Sequence, residues 1–343
     1  MNTNYNIFKR NVNGLSNLGN TCYMNAILQA LCSNEELSHF FLSGQYKKKL
    51  NNKKENNLIE SYVKLLKAIY NIKKVIAPIS FIKTYSNEIN FDIVYRQQDS
   101  MEALQLLLDN IHNSLARKVN IKIKNLKKVS KLELQSKQHW KIFLKDDYSE
   151  ILKYFYGQFY STTKCTCGYK SITFEPFCHI SVPISISDNL ETTDLYTCLN
   201  KYKEQEYLDN DNMYRCSKCT QSTNARKQMT IKILPQNLII QLKRFLIDKN
   251  YNTRKIRNFV DYPMELDISN NVHNSNNLTC RYKLYSVVNH IGNLSDGHYY
   301  SYCKHSNDTW YCYNDEDVTE IEEISIPSKN AYILFYKKIN NKK

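Results

Sequence analysis

Glycine and proline are scarce in this chain, at 7 and 6 of 343 residues. Glycine makes up about 2% of the sequence against ~7% in an average protein, which excludes collagen-like, glycine-rich linker and low-complexity classes. Long apolar runs are missing as well: no stretch approaches the ~18 residues of a membrane-spanning helix, and none is expected. The N-terminal MNTNYNIFKRNVNG lacks the apolar core of a secretory signal. The 11 cysteines are therefore expected as thiols, metal ligands or catalytic groups rather than disulfides, in the cytoplasm or nucleus. Internal repeats are absent. Charge of one sign is concentrated. The formal net charge is +14, of which residues 46–57 carry +4 and residues 117–141 carry +8, leaving +2 elsewhere. These segments read as solvated surface insertions. The 117–141 stretch lacks the interleaved aromatics expected of a nucleic-acid partner.

The few glycines fall in three pairs: Gly14 and Gly19, Gly157 and Gly168, Gly292 and Gly297, with Gly44 apart. In a chain so poor in glycine, the pairs mark places where the backbone turns tightly or approaches a neighbour closely. Between and around them, Met24, Ile27, Leu28 and Leu31 line one face of a helix, as do Met101, Leu104, Leu108 and Ile111. Residues 61–70 and 149–156 are helical in pattern, and 117–141 reads as a mobile or partly helical connector. After Gly157 the texture changes to β-branched and aromatic segments separated by polar turns, such as LIIQLKRF, YKLYSVVNHIG, HYYSYCK and AYILFYKK. A helical N-terminal part followed by a β-rich C-terminal part predicts an α+β fold, not cut into independent domains.

Cys22 stands at the mouth of the first helix, where unpaired N–H groups and the helix dipole favour a thiolate. The same position also fits a small buried cysteine behind an ordinary Asn20 or Thr21 cap, a reading that suits Cys32. A thiolate nucleophile needs a base and a group to orient it. His290 and His298 are the histidine candidates. If the strand from His298 runs antiparallel to the one around Trp310, its ring meets Asn314 or Asp315. A cysteine near one end of the chain and a His–Asn/Asp pair near the other is the chain order of papain-like cysteine proteases.

The resemblance then becomes specific. GLSNLGNTCYMNAILQAL resembles the Cys box of the ubiquitin-specific proteases, and YKLYSVVNHIGNLSDGHYYSYCKHSNDTWYCYNDEDV, closing in AYILFYKK, resembles their His box. RQQDSMEALQLLLD is similar to a helix of that family, LIIQLKRF to one of its strands, and FYGQFYSTTKCTCGYKS with YRCSKC to its zinc-bearing fingers. The resemblance implies a papain-like fold with a helical thumb (about 14–150), fingers (about 151–235) and a β-rich palm (about 236–338). These form a single catalytic domain over 14–338, with short tails at 1–13 and 339–343. It implies a deubiquitinating thiol isopeptidase: Cys22 attacks the carbonyl of ubiquitin's C-terminal glycine and His298 acts as the base. Asn314 falls on the third triad position, where many members carry Asp. Asp315 stands beside it, and which of the two dominates stays open. Asn17 matches the side chain of the oxyanion hole.

On the same resemblance, Asp99 and Glu102 meet the arginines of the ubiquitin tail, with Asp99 also capping its helix and keeping one oxygen free. Tyr299 walls the cleft or is simply packed. Cys216 and Cys219 form a C-x-x-C knuckle whose partner is C-x-C, Cys165 and Cys167. Together they imply a structural zinc, with Cys178 as a substitute ligand and no cofactor for catalysis. The implied partners are ubiquitin and ubiquitinated proteins, met by a monomer. Other readings are an inactive ubiquitin-binding module or a protease for another ubiquitin-like modifier.

Overall fold

The computed structural model describes residues 9–51, 56–89, 96–123, 130–185, 191–247, 253–274, 280–293 and 296–339. The basic segments 46–57 and 117–141 thus lie partly outside the described residues. The first half is helical: α1 (Cys22–Cys32), α2 (Glu35–Leu42), α3 (Asn56–Asn71), α4 (Ile79–Glu88), α5 (Ser100–Leu115), α6 (Lys131–Lys145) and α7 (Glu150–Phe155). Strands β1 (Gly157–Cys165), β2 (Lys170–Phe177), β3 (Ile180–Pro183) and β4 (Thr192–Asp194) follow, then α8 (Leu195–Lys203). Next come β5 (Glu206–Leu208), β6 (Tyr214–Arg215), β7 (Ser222–Thr223), β8 (Ala225–Ile233), β9 (Asn237–Lys243), β10 (Phe245–Ile247) and β11 (Thr253–Lys255). The chain continues through β12 (Phe259–Asp261), β13 (Glu265–Asp267), β14 (Arg281–Gly292), β15 (Gly297–Lys304), β16 (Trp310–Asn314), β17 (Asp317–Ile321) and β18 (Ala331–Lys338).

Local chemistry sets the helix starts. Asn34, Asp99, Ser130, Ser149 and Asp194 each cap the helix that follows by accepting a backbone N–H. Of the two alternatives for the basic connector, the partly helical one holds: α6 takes up its end and runs on to Lys145. Ser130 caps it, Lys232 reaches Glu133 at 2.8 Å, and Ser136 donates to Gln158 at 2.6 Å. Just before and after it, Arg117 grips Glu150 through two hydrogen bonds of 2.6 and 2.9 Å.

The largest sheet runs β17-β16-β15-β14-β18-β9-β3, with β13 also on β14, and only the β3–β9 pairing is parallel. A second sheet runs β2-β1-β8-β5. The central strands of the large sheet are buried on both faces. On β18, Ile333 and Phe335 pack towards the helices, while Leu334 and Tyr336 enter a second core with Leu284, Trp310 and Leu195. This is why LIIQL and AYILFY read as continuous apolar runs rather than alternating ones. The α1 helix lies against β15 and β14, so residues from the start of the chain meet residues from its end. Among the described residues no helix is long and apolar enough to cross a membrane.

Candidate active site

Every residue of α1 is buried, which anchors Cys22 at its first position, where the residue is 6% exposed. Thr21 occupies the N-cap position but makes no capping bond; its Oγ1 accepts instead from the N–H of Leu18 at 2.9 Å. The Thr21 carbonyl accepts from the N–H groups of Met24 and Asn25, each at 3.0 Å, which closes the first turn under Cys22.

His298 is the second residue of β15, and β15 runs antiparallel to β16, with Ser301 opposite Tyr313. That register carries the imidazole to Asn314 at the end of β16. Nε2 donates to Asn314 Oδ1 at 2.6 Å, leaving the other ring nitrogen for the thiol. The hydrogen bond with Cys22 is the largest influence on the ring. Burial opposes it, and the Asn314 bond and the nearby charges of Cys22 and Asp315 add to it, raising His298 to about 9. A protonated imidazole is thus the form the site favours. His290, the other candidate, is 1% exposed on β14, and burial and the Lys255 charge push it down to about 3.

Asp315 stands 4.0 Å from His298 Nε2 and does not touch the ring directly. Its φ of +51° puts it in the left-handed region, and its carboxylate is gripped by amides. Asn17 Nδ2 donates to Oδ2 at 2.9 Å and Asn25 Nδ2 to Oδ1 at 2.8 Å. Asn17 also accepts, through Oδ1, from the backbone N–H groups of Gly19 and Thr21, each at 3.1 Å. The Asn17 amide is thereby fixed from both ends, its nitrogen on Asp315 and its oxygen on the turn that leads into α1. Gly14 makes this docking feasible: a Cβ there would lie 2.3 Å from the Glu316 carbonyl oxygen. Asn25 went unread in the sequence. Its signal is a polar residue one turn after Cys22 in a buried helix whose other amide side chain is Gln29.

Asp99 caps α5 through Oδ1, which accepts from Met101 and Glu102 N–H groups at 2.7 and 3.1 Å. Its second oxygen, expected to be free, is taken: Oδ2 accepts from the Tyr332 hydroxyl at 2.5 Å. Tyr332 sits on β18, so a helix cap doubles as a strut to the large sheet. Asp99, Glu102 and Glu88 line a groove of about 390 Å³ with Tyr23, Tyr85 and Leu106, an acidic setting with apolar walls. Tyr299 is 5% exposed and packs against His290 and Tyr332, with ring centroids 4.5 and 6.2 Å away. It is a packed strand residue.

A separate cluster lies at the end of the second sheet. The sulfurs of Cys165, Cys167, Cys216 and Cys219 all lie within 4.8 Å of one another. Cys165 is 3.8 Å from Cys219, and Cys167 is 3.9 Å from Cys216. A tetrahedral ion with ~2.3 Å bonds to sulfur needs edges of about 3.8 Å, so the donor set fits zinc. The shortened C-x-C works because it sits in the β1–β2 turn, where the Gly168 N–H returns to the Cys165 carbonyl at 3.0 Å. Cys178 stands outside the cluster with its sulfur 3.4 Å from His179 Nδ1, so it is no substitute ligand. None of the 11 cysteines forms a disulfide.

Residues far apart in the chain thus converge on one thiol, one imidazole and their amide and carboxylate supports. The sequence model of the ubiquitin carboxyl-terminal hydrolase family matches residues 13–336. The chain is 32% identical over 332 residues to ubiquitin carboxyl-terminal hydrolase Usp2 of Drosophila melanogaster, covering 95% of this chain and 34% of that protein. It is 33% identical over 332 residues to human ubiquitin carboxyl-terminal hydrolase 2, covering 94% of this chain and 54% of the human one. The chain therefore spans about a third to a half of the length of these relatives. Its fold is similar to Ubp8 in a SAGA DUB module bound to monoubiquitin, with a TM-score of 0.77 and 26% identity over 97% of this chain and 70% of that one. Ubp8 in the module bound to ubiquitin aldehyde also gives a TM-score of 0.77, at 25% identity over 98% of this chain and 71% of that one. This chain belongs to the ubiquitin carboxyl-terminal hydrolase family.

Proposed function

We propose that this chain is a thiol isopeptidase that hydrolyses the bond after the C-terminal glycine of ubiquitin. The observation that carries the reading is the contact of Cys22 with an imidazole raised to about 9 and held by Asn314 at 2.6 Å. In this reading the Cys22 thiolate attacks the glycine carbonyl, and the carbonyl π electrons move onto oxygen. The Cys22 backbone N–H and the spare N–H of Asn17 face that oxyanion. Collapse expels the amine of the target lysine, which takes its proton from the His298 imidazolium. The neutral imidazole then removes a proton from water, whose oxygen attacks the thioester; the C–S bond breaks, the Cys22 thiolate is restored beside the imidazolium, and ubiquitin leaves as an acid that loses its remaining proton to solvent. Asn314 orients the ring directly. Asp315 adds negative charge at 4.0 Å and holds Asn17.

The acidic groove at Asp99 and Glu102 suits the basic tail of ubiquitin, and Tyr299 supports the wall from within. The domain unit is 14–338, with helices up to α7 as thumb, the β1-β2-β5-β8 sheet as fingers and the large sheet as palm. Cys165, Cys167, Cys216 and Cys219 would hold one zinc, which braces the fingers without an open coordination position for chemistry. In this reading the chain acts as a monomer, and 11 disulfide-free cysteines suit the cytoplasm or nucleus. The test is turnover of a fluorogenic C-terminal amide of ubiquitin by wild type and Cys22→Ala. Amide cleavage abolished in the variant supports the reading; no cleavage by wild type refutes it.

A further inference from the structure

The hairpin that carries His298 joins β14 to β15, with Ile291 opposite His298 and Gly292 opposite Gly297. Support for its end comes from outside the hairpin. Lys255, the last residue of β11, directs its ammonium at three acceptors on one short segment. These are His290 Nδ1 at 2.8 Å, the His290 carbonyl at 2.6 Å and the Gly292 carbonyl at 3.3 Å. An ammonium has three N–H donors, and this geometry commits all of them to the hairpin. No ion pair among the described residues includes Lys255. Burial, with Arg244 and Arg257 nearby, pulls the Lys255 ammonium down to about 8, so hairpin acceptors rather than a carboxylate hold the charge.

His290 passes the contact on. Its Nδ1 accepts from Lys255, so the ring proton sits on Nε2, which faces Gly297. A Cβ built on Gly297 would fall 2.2 Å from that Nε2, so the ring is seated directly against the residue before His298. On the same side Arg257 donates to Asn293 Oδ1 at 2.9 Å. On the helical side the Gly297 N–H donates to Gln97 Oε1 at 3.0 Å. The hairpin end is therefore clamped between β11 and the segment preceding α5.

We propose that Lys255 is a positioning residue for His298: through His290 and Gly292 it fixes the hairpin that sets the imidazole between Cys22 and Asn314. This rests on the reading of His298 as the base. Removing the ammonium strips the donor from two carbonyls and an imidazole nitrogen, and the hairpin shifts to find other partners. A displacement of about 1 Å at a reacting group can cost ~10²-fold in rate.

The test uses the full chain with Lys255→Met, which keeps length without donors, and Lys255→Arg, which keeps the cation. Two readouts are taken beside the melting temperature: kcat and KM on a fluorogenic ubiquitin amide, and the pH profile of Cys22 alkylation by iodoacetamide, followed on the Cys22 peptide. Lys255→Met should lower kcat by about 10–100-fold, leave KM nearly unchanged and displace the alkylation profile, with Lys255→Arg restoring most of both. Wild-type kcat and profile in a folded Lys255→Met overturn the proposal. So does an activity loss that follows the melting temperature while the profile of the folded protein stays put. If Lys255→Met does not fold, Lys255→Gln is judged by the same criteria. The alkylation arm needs no ubiquitin: an inert wild type on the ubiquitin amide sinks the functional reading, while an unmoved profile sinks only the role of Lys255.

Discussion

Asn314→Ala is the substitution that most sharply separates a held imidazole from a free one. Asn314 supplies the only direct hydrogen bond to His298 Nε2 among the described residues, at 2.6 Å, whereas the Asp315 carboxylate stands at 4.0 Å. A hydrogen bond to a charged group contributes about 1.5–3 kcal/mol. At ~1.4 kcal/mol per decade of rate, its loss lowers kcat by about 10–100-fold. The side chain faces the ring rather than the groove, so KM should change little. The pH dependence gives a second readout. The bond to Asn314 is one of the influences that raise His298 to about 9, and a raised imidazole keeps its proton below that pH and loses it as pH rises through it. Activity carried by the thiolate–imidazolium pair should therefore fall on the alkaline side near pH 9, and Asn314→Ala should move that fall to lower pH. Steady-state hydrolysis of a fluorogenic ubiquitin amide between about pH 6 and 10 measures both. A variant with kcat within about threefold of wild type and an unmoved alkaline limb would refute the reasoning and shift the orienting role to Asp315.

Three other expectations follow from the same geometry. Asn17→Ala removes a donor beside the oxyanion and frees Asp315, and kcat on the ubiquitin amide should fall by roughly 10²–10³ with ubiquitin affinity preserved; an unchanged kcat contradicts that role. Purified protein should contain about one zinc per chain by elemental analysis, and Cys216→Ser should lose it along with several degrees of melting temperature; less than about half an equivalent in wild type argues against the site. Gly14→Ala places a Cβ 2.3 Å from a backbone oxygen of Glu316, and should cost about 1–3 kcal/mol in denaturant unfolding; a neutral result means the turn moves aside.

Local features of the sequence carried the site's main residues. A one-sided helix beginning at Cys22 and an antiparallel pair of aromatic strands offered a thiol and two histidines as candidates, the motif resemblance chose Cys22 and His298 among them, and the register delivers Asn314 to the ring. Pairwise cysteine spacing likewise anticipated a four-thiol cluster, although the C-x-C knuckle was legible only once its place in a tight strand turn was known. What the sequence concealed is long-range. Nothing local to Asp99 shows that its second oxygen is taken by Tyr332, 233 positions away. The left-handed turn at Asp315 and its capture by Asn17 and Asn25 depend on two ends of the chain meeting, with 298 and 290 positions between the partners. The α6 helix was legible only as a partly helical connector, since its anchors at Lys232 and Gln158 lie on strands further along the chain. Of the paired glycines, Gly14 answers to the Glu316 backbone, a partner that composition could not name.

The central claim is that Cys22 is a nucleophile aimed at the C-terminus of ubiquitin. A ubiquitin whose terminal glycine is replaced by an electrophile tests it directly, with the product read by intact mass and the modified residue located by peptide mapping. The account predicts a single covalent ubiquitin on Cys22 and none on Cys22→Ala. Wild type that stays unmodified, or an adduct on any of the other ten cysteines, would contradict it.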